Sequence, residues 1–167
     1  MLGCVVAAAA GGVAYAYSGL YDVSDTTPDS ALFSWVVHKT SDSSVGARLG
    51  VIQVPAGLDQ PQKIAAGGHL FLQNCAVCHG GPGLTPTNIY LGMNPQPPDL
   101  YRAGRVPASD ENFQFIKYGI KMSGMPGFST TKTDDEIWSL VAFLGTAPGL
   151  SAADFAKETG SSVTVGK

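Results

Sequence analysis

Apolar and small side chains fill residues 2–20, and the first charged side chain of the sequence is Asp22. A helix of this length rises roughly 30 Å at about 1.5 Å per residue, close to the hydrocarbon thickness of a bilayer. The pattern predicts an N-terminal transmembrane or signal-anchor helix over residues 1–21. A cleavable signal peptide is the alternative, but it would begin with basic residues, and this segment has none.

Residues 22–60 mix turn-forming residues with short apolar runs and have no clear period. We predict a loop over residues 22–29, a short helix or packed segment over residues 32–38, and an extended piece over residues 51–55 that ends at a proline. A segment of this length without a regular pattern is unusual inside one compact domain. The pattern therefore predicts an extended connecting arm over residues 22–60, partly packed on its neighbours.

Helix signals return at Pro61, where the pattern of a globular domain begins. Proline suits the first turn of a helix, and this helix is predicted over residues 61–74. Ser109 is the expected N-cap of a second helix, because acidic residues follow it, and the helix runs to about Tyr118. A loop-rich centre over residues 80–108 separates the two helices.

A third helix is predicted to begin at Thr133. Thr133 and Glu136 have the spacing of a capping box, in which the two side chains satisfy backbone N–H groups at the helix start. We therefore assign the globular domain to residues 61–150, in an all-α fold. Residues 151–167 form a C-terminal tail, with one short helix over residues 152–157 and a frayed end over residues 160–167.

Charge and cysteine content narrow the function classes. The 167 residues carry a formal net charge of −3, so the chain lacks the basic surface of a nucleic-acid-binding protein. Its three cysteines do not make a disulfide framework, since Cys75 and Cys78 share one motif and Cys4 stands alone in the apolar segment. We interpret Cys4 as a small helix residue in apolar surroundings.

The motif Cys75-Ala76-Val77-Cys78-His79 has the spacing of a c-type haem attachment site. Each thiol adds across one vinyl group of the porphyrin, and two intervening residues on a helical turn place the sulfur atoms at the matching separation. The adjacent histidine then becomes the proximal ligand of the iron. We predict one covalent haem c on Cys75 and Cys78, with its iron held by His79.

Two other readings of the cysteine pair need features that the sequence lacks. A zinc ribbon requires a second pair of ligands, and no second CxxC is present. A thioredoxin-type redox pair follows a strand in a βαβ unit, and no such pattern precedes Cys75.

Further residues extend the match to a known family. Gly67, Phe71 and Cys75 lie four residues apart on the first domain helix, and Phe143 lies on the last. This arrangement resembles class I c-type cytochromes, in which a glycine lets the N-terminal and C-terminal helices cross closely beside an aromatic side chain. The resemblance implies the class I cytochrome c fold for the domain over residues 61–150.

A second axial ligand is expected from the C-terminal half of the domain. Met125 is flanked by a glycine and a proline, which resembles the Gly-Met-Pro distal loop of bacterial class I cytochromes, and the resemblance assigns the ligand role to Met125. Met122 is the second candidate, although packing against the haem edge suits it better, and Met93 is expected to line the pocket. His69 and His38 are interpreted as surface residues, with a bis-histidine iron as the alternative.

A proline-dense segment over residues 94–100 resembles the Pro-Pro-Asp-Leu segment that borders the haem in these cytochromes. In the family a proline carbonyl orients the proximal histidine, and such a bond fixes the histidine tautomer. In the family this carbonyl can come from the segment itself, but several members use an earlier Gly-Pro pair, which is Gly81-Pro82 here, and the resemblance favours Pro82 as the partner of His79. Several basic or aromatic residues are candidates for contacting the haem propionates or a docking partner: Arg102, Arg105, Lys117, Lys121 and Trp138. The alternative for each is a solvated surface position without a specific role.

Closure of the iron by histidine and methionine implies single-electron transfer, because no coordination position stays open for catalysis. The first hypothesis is therefore an electron-transfer protein, either a carrier or a subunit of a bacterial respiratory complex. The alternative is a haem enzyme or gas sensor with a labile distal ligand. The arm resembles that of membrane-anchored bacterial monohaem cytochromes, which implies a dehydrogenase or terminal oxidase as partner and a haem domain in the periplasm, at the inner membrane.

Overall fold

The computed structural model describes residues 1–104 and 106–161. These residues form eight helices, and the only strand-like pairing among them is one isolated bridge between Ile120 and Met125, so the expected all-α architecture is confirmed. The helices are α1 (Leu2–Tyr17), α2 (Ala31–Leu49), α3 (Pro61–Asn74), α4 (Ala76–His79), α5 (Asn88–Gly92), α6 (Ser109–Tyr118), α7 (Asp134–Thr146) and α8 (Ala152–Thr159).

The core of the domain lies where α3 crosses α7, the most extensive helix contact in the described chain. Gly67 makes this approach possible, because a Cβ at that position would lie 1.9 Å from the carbonyl oxygen of Ser139 and 2.9 Å from Cβ of Phe143. Phe71 then stacks obliquely on Phe143, with the ring centroids 5.3 Å apart. The glycine–aromatic crossing expected from the sequence is therefore present.

Helix starts follow the sequence signals closely, with one difference. The capping box of α7 is formed as predicted: Glu136 N–H donates to Thr133 Oγ1, and Thr133 N–H donates to the Glu136 carboxylate. Ser109, however, is the first residue of α6 and not its N-cap. Ala108 holds the N-cap position and offers no side-chain oxygen, so the acidic first turn of α6 has no capping side chain in front of it.

The helix predicted in the C-terminal tail is part of the domain core. Phe155 of α8 is completely buried, and it meets Tyr101 edge to face at a centroid distance of 5.7 Å. Gly68 of α3 lets α8 approach, since a Cβ there would lie 2.4 Å from the carbonyl oxygen of Glu158. The predicted fraying over residues 160–167 falls mostly on residues 162–167, which lie outside the described chain.

The arm is more regular than the sequence pattern suggested. Residues 31–49 form the 19-residue helix α2, which begins at the N-cap Ser30 and packs against α6. Half-buried positions recur along one face of α2, at Phe33, Ser41, Val45 and Leu49. The serine-rich middle of the helix hides this period, because serine competes for backbone hydrogen bonds and favours caps and turns. Residues 51–55 are non-helical, as expected.

Helix α1 is shorter than the predicted segment and has no buried residue. It ends at Tyr17, where Ser18 takes the C-cap position. No helix within the described residues combines the length and the apolar character needed to cross a membrane.

Candidate haem site

The attachment motif is built as one helical turn that continues from α3. Cys75 closes α3 and accepts two backbone hydrogen bonds on its carbonyl, from Cys78 N at 3.0 Å and from His79 N at 2.8 Å. These bonds close the short helix α4 and bring the two cysteines to adjacent positions on one turn. Both thiols are half-buried and unpaired.

Burial, with a smaller contribution from the neighbouring Cys78, raises the pKa of the Cys75 thiol to about 12. Cys75 therefore stays protonated at neutral pH in the free chain. A thiol-disulfide catalyst needs the opposite, a cysteine whose pKa is lowered so that the thiolate is present. The site is thus unsuited to the thioredoxin-type alternative.

His79 is oriented by the proline-dense segment. Its Nδ1 lies 3.3 Å from the carbonyl oxygen of Pro98, which places the proton on Nδ1 and leaves the lone pair on Nε2. Burial lowers the pKa of His79, which also favours the neutral ring that binds a metal. The carbonyl partner is that of Pro98, and Pro82, which the resemblance favoured, does not fill this role.

A cavity of about 320 Å³ opens beside His79. Pro82 lines it together with Leu84, Tyr90 and Tyr101. The Tyr101 hydroxyl is buried and has no hydrogen-bond partner among the described residues, and burial raises the pKa of this phenol. An unsatisfied buried hydroxyl costs about 1–3 kcal/mol, so this site is suited to a group that is bound there.

Met125 lies in a tight loop that follows α6. The loop is closed by Ile120 N–H, which donates to the Met125 carbonyl at 3.1 Å, and by Ser123 Oγ, which accepts from Met125 N–H at 3.3 Å. The Met125 side chain is half-buried and packs against the core cluster. Gly124 has a φ of +76°, a conformation that a glycine adopts without steric cost.

The other methionines differ in exposure. Met122 is at the tip of the same loop with 86% of its surface exposed, so it packs against nothing. Met93 is half-buried, and its Cε would lie 2.9 Å from a Cβ at Gly124, which places Met93 against the loop that carries Met125.

The histidines and basic candidates are placed mostly at the surface. His69 and His38 are exposed, and His38 Nδ1 bonds its own helix at the Ser34 carbonyl. Lys117 pairs with Asp134 at 2.7 Å and lies over the Phe113 ring, so it already has structural partners. Trp138 stacks on the same ring at a centroid distance of 4.2 Å and is nearly buried. Arg102 and Lys121 are exposed, and Arg105 lies outside the described residues.

Two residues of the site have no individual role in the sequence-based assignment. Pro98 belongs to the segment whose proline carbonyl can orient the proximal histidine in the resembled family, but a backbone carbonyl has no side-chain signature that singles out Pro98. Tyr101 follows that segment directly and could have been noted as a polar aromatic residue in a predicted pocket.

The residues present fit a c-type haem. The donor set consists of two unpaired thiols on one turn and a histidine with Nε2 available, beside a cavity with an unpartnered hydroxyl. Among the described residues, no cluster of three or more histidine, cysteine or acidic side chains is placed to hold a metal ion, as a structural zinc site requires. When bound, the haem supplies an iron that gains or loses one electron. The chain's part is to bind the ring covalently and to orient the axial side chains.

Comparison with known proteins agrees with this geometry. The family model described as cytochrome c oxidase, cbb3-type, subunit III matches residues 62–144, which run from the start of α3 to near the end of α7. Neither a curated protein nor a solved structure matches the chain. The matched span contains the attachment motif and the α3–α7 crossing. Residues 62–144 are therefore a class I c-type cytochrome domain, which carries one covalently bound haem c.

Proposed function

We propose that this chain transfers single electrons on its haem c, with His79 and Met125 as the axial ligands, as a carrier or subunit of a bacterial redox complex. The observation that carries the proposal is the turn Cys75–His79 against the Pro98 carbonyl. That carbonyl accepts a hydrogen bond from the Nδ1 proton, so the Nε2 lone pair of His79 would be free to bind the haem iron. Covalent attachment through Cys75 and Cys78 keeps the cofactor in place through repeated oxidation and reduction.

The assignment of Met125 as the second ligand is supported by its loop. Two hydrogen bonds fix the backbone at Met125, and its half-buried side chain packs against the core cluster, whereas Met122 is exposed. An iron closed by histidine and methionine has no vacant position, so it exchanges electrons without binding a substrate. This geometry favours a carrier over the haem enzyme or gas sensor.

Haem staining after denaturing electrophoresis tests the covalent attachment. The wild-type chain should keep its stain, while the double variant Cys75→Ala, Cys78→Ala should lose it because no thioether bond remains to hold the haem. Cys4→Ala is the matched control, since Cys4 lies exposed on α1, and it should stain like the wild type. Loss of the wild-type stain on denaturation would contradict a c-type haem. A spectrum of the reduced wild type that shifts under carbon monoxide would favour the enzyme or sensor.

For the partner, we propose a terminal oxidase or a related dehydrogenase complex at the bacterial inner membrane, with the haem domain in the periplasm. The matched family is named for an oxidase subunit, which supports this class of partner. Helix α1 supports association with the membrane complex, because it is apolar on all sides and has no buried residue of its own. Its alanine and glycine residues allow the close helix packing that membrane proteins use.

Removal of α1 tests the partner assignment. We expect residues 18–167, expressed behind a cleavable export signal, to bind haem and remain soluble but to fail to assemble with the membrane complex. Membrane-bound electron flow should then stay at the level of a strain that lacks the protein. Full flow with this shortened form, at native protein levels, would show that α1 is not needed for docking and would favour a freely diffusing carrier.

A further inference from the structure

The turn at the start of the arm is tied to the segment that borders the haem site. Asn94 N–H donates to Asp25 Oδ1 at 3.2 Å, and Asn94 Nδ2 donates to the Thr27 carbonyl at 3.5 Å. The turn itself is held by Asp22, whose carboxylate accepts from Ser24 N–H at 2.9 Å and from the Thr27 hydroxyl at 2.5 Å. A pre-formed turn therefore meets a residue almost seventy positions further along the chain.

Asn94 belongs to a short segment, residues 93–98, that contacts both the loop carrying Met125 and the ring of His79. At one end, Met93 packs against Gly124, which precedes Met125. At the other end, the Pro98 carbonyl accepts from His79 Nδ1. Three of the six residues are prolines, whose φ is fixed. Because few backbone rotations are available, a displacement at Asn94 moves the neighbouring residues of the segment as well.

The arm is also connected to the Met125 loop through α6. Helix α2 packs on α6, and the chain leaves α6 at Gly119 to form the loop that carries Met125. After the loop, the chain returns to α6, because Phe128 N–H donates to the Ile116 carbonyl at 3.0 Å and Ser129 N–H donates to the Lys117 carbonyl at 3.0 Å. Both ends of the distal loop are therefore fixed to the helix on which α2 rests.

We propose that the arm is a brace for the axial ligands, with Asp25 and Asn94 as its positioning residues. The bond between them holds segment 93–98 against the His79 ring and the Met125 loop, while α2 packs on α6, the helix to which both ends of that loop are fixed. The arm, residues 22–60, lies outside the matched span of residues 62–144, whereas Asn94, to which it is bonded, lies inside that span. This inference rests on the proposed function, since it takes His79 and Met125 as the ligand pair.

The variants Asp25→Ala and Asn94→Ala test the brace in the full-length holoprotein. Asp25→Ala removes the acceptor of the Asn94 backbone N–H, and Asn94→Ala removes the side-chain bond to the Thr27 carbonyl, so neither variant touches a ligand. A lost hydrogen bond of about 1 kcal/mol corresponds to roughly a fivefold change in an equilibrium. We expect about fivefold more of the ferrous protein to bind carbon monoxide at a fixed concentration, with a matching increase in the hydrogen-exchange rate of Ile120 N–H, the donor that closes the distal loop. The covalent haem stain should stay unchanged.

Two further variants make the result specific. Asp25→Asn keeps an acceptor oxygen and should behave like the wild type, and Asp42→Ala removes an exposed carboxylate elsewhere on the arm and should do the same. The brace is overturned if Asp25→Ala and Asn94→Ala match the wild type in both carbon monoxide binding and Ile120 exchange. A wild type that already binds carbon monoxide freely would instead refute the closed iron of the proposed function, and the brace with it.

Discussion

The Met125→Ala variant is expected to bind carbon monoxide close to stoichiometrically in its reduced state, whereas the wild type binds only a trace. Alanine cannot reach the iron, and the loop bonds at Ile120 and Ser123 hold the backbone so that no neighbouring side chain moves into the gap. The weak near-infrared absorption band from methionine sulfur to iron should disappear. The reduction potential should fall, because methionine ligation raises it.

Met122→Ala is the matched control on the same loop. Met122 has 86% of its surface exposed and a φ of +64°, an uncommon value for a residue with a side chain. Its truncation removes no packing, so the near-infrared band and the trace level of carbon monoxide binding should both stay as in the wild type. The opposite pattern, with the band lost in Met122→Ala and kept in Met125→Ala, would show that Met122 is the ligand.

The Gly67→Ala variant should lose about 3 kcal/mol of unfolding free energy or more, near the upper end of overpacking effects. The new methyl group would lie 1.9 Å from the Ser139 carbonyl oxygen, and this oxygen is backbone of α7 and cannot rotate away. Relief requires α3 and α7 to separate, which also opens the contact between Phe71 and Phe143. Urea unfolding followed by circular dichroism measures the change.

Gly145→Ala tests whether this cost belongs to the crossing or to any helical glycine. Gly145 lies in α7, and a Cβ built there meets nothing within 4 Å. Alanine is the better helix former, so this variant should be neutral or more stable by about 0.5–1 kcal/mol. Equal unfolding midpoints for Gly67→Ala and Gly145→Ala would rule out the close crossing at Gly67.

The features that the sequence predicted well depend on short stretches of chain. The capping box at Thr133 and Glu136 is a contact over one helical turn, and its geometry follows from local backbone conformation. The span of α3, residues 61–74, was also predicted correctly, since a proline marks its start. The attachment motif is of the same kind, because the chemistry of two thioethers and one iron ligand restricts its spacing to five residues.

The features that only the tertiary structure decided depend on which distant segments meet. Pro82 and Pro98 both offer a backbone carbonyl, and no side chain distinguishes them, so the choice at His79 follows from how the chain folds back over the intervening loop. Phe155 is one apolar residue in a short helix, and its burial depends on the space that Gly68 leaves on α3.

The arm shows most clearly that local sequence patterns do not reveal contacts between distant segments. Serines in the middle of α2 weaken its local helix signal, and the helix gains support from packing on α6, more than sixty residues away. The bond between Asp25 and Asn94 joins two polar residues that are ordinary turn formers in isolation. Sequence by itself therefore indicated the haem chemistry, because the spacing of the attachment motif is local, and the resemblance to class I cytochromes supplied the expected crossing of α3 and α7. The partner of His79, the place of α8 and the contacts of the arm were decided by long-range packing, in which a backbone group has a specific role only once the fold has brought its partner beside it.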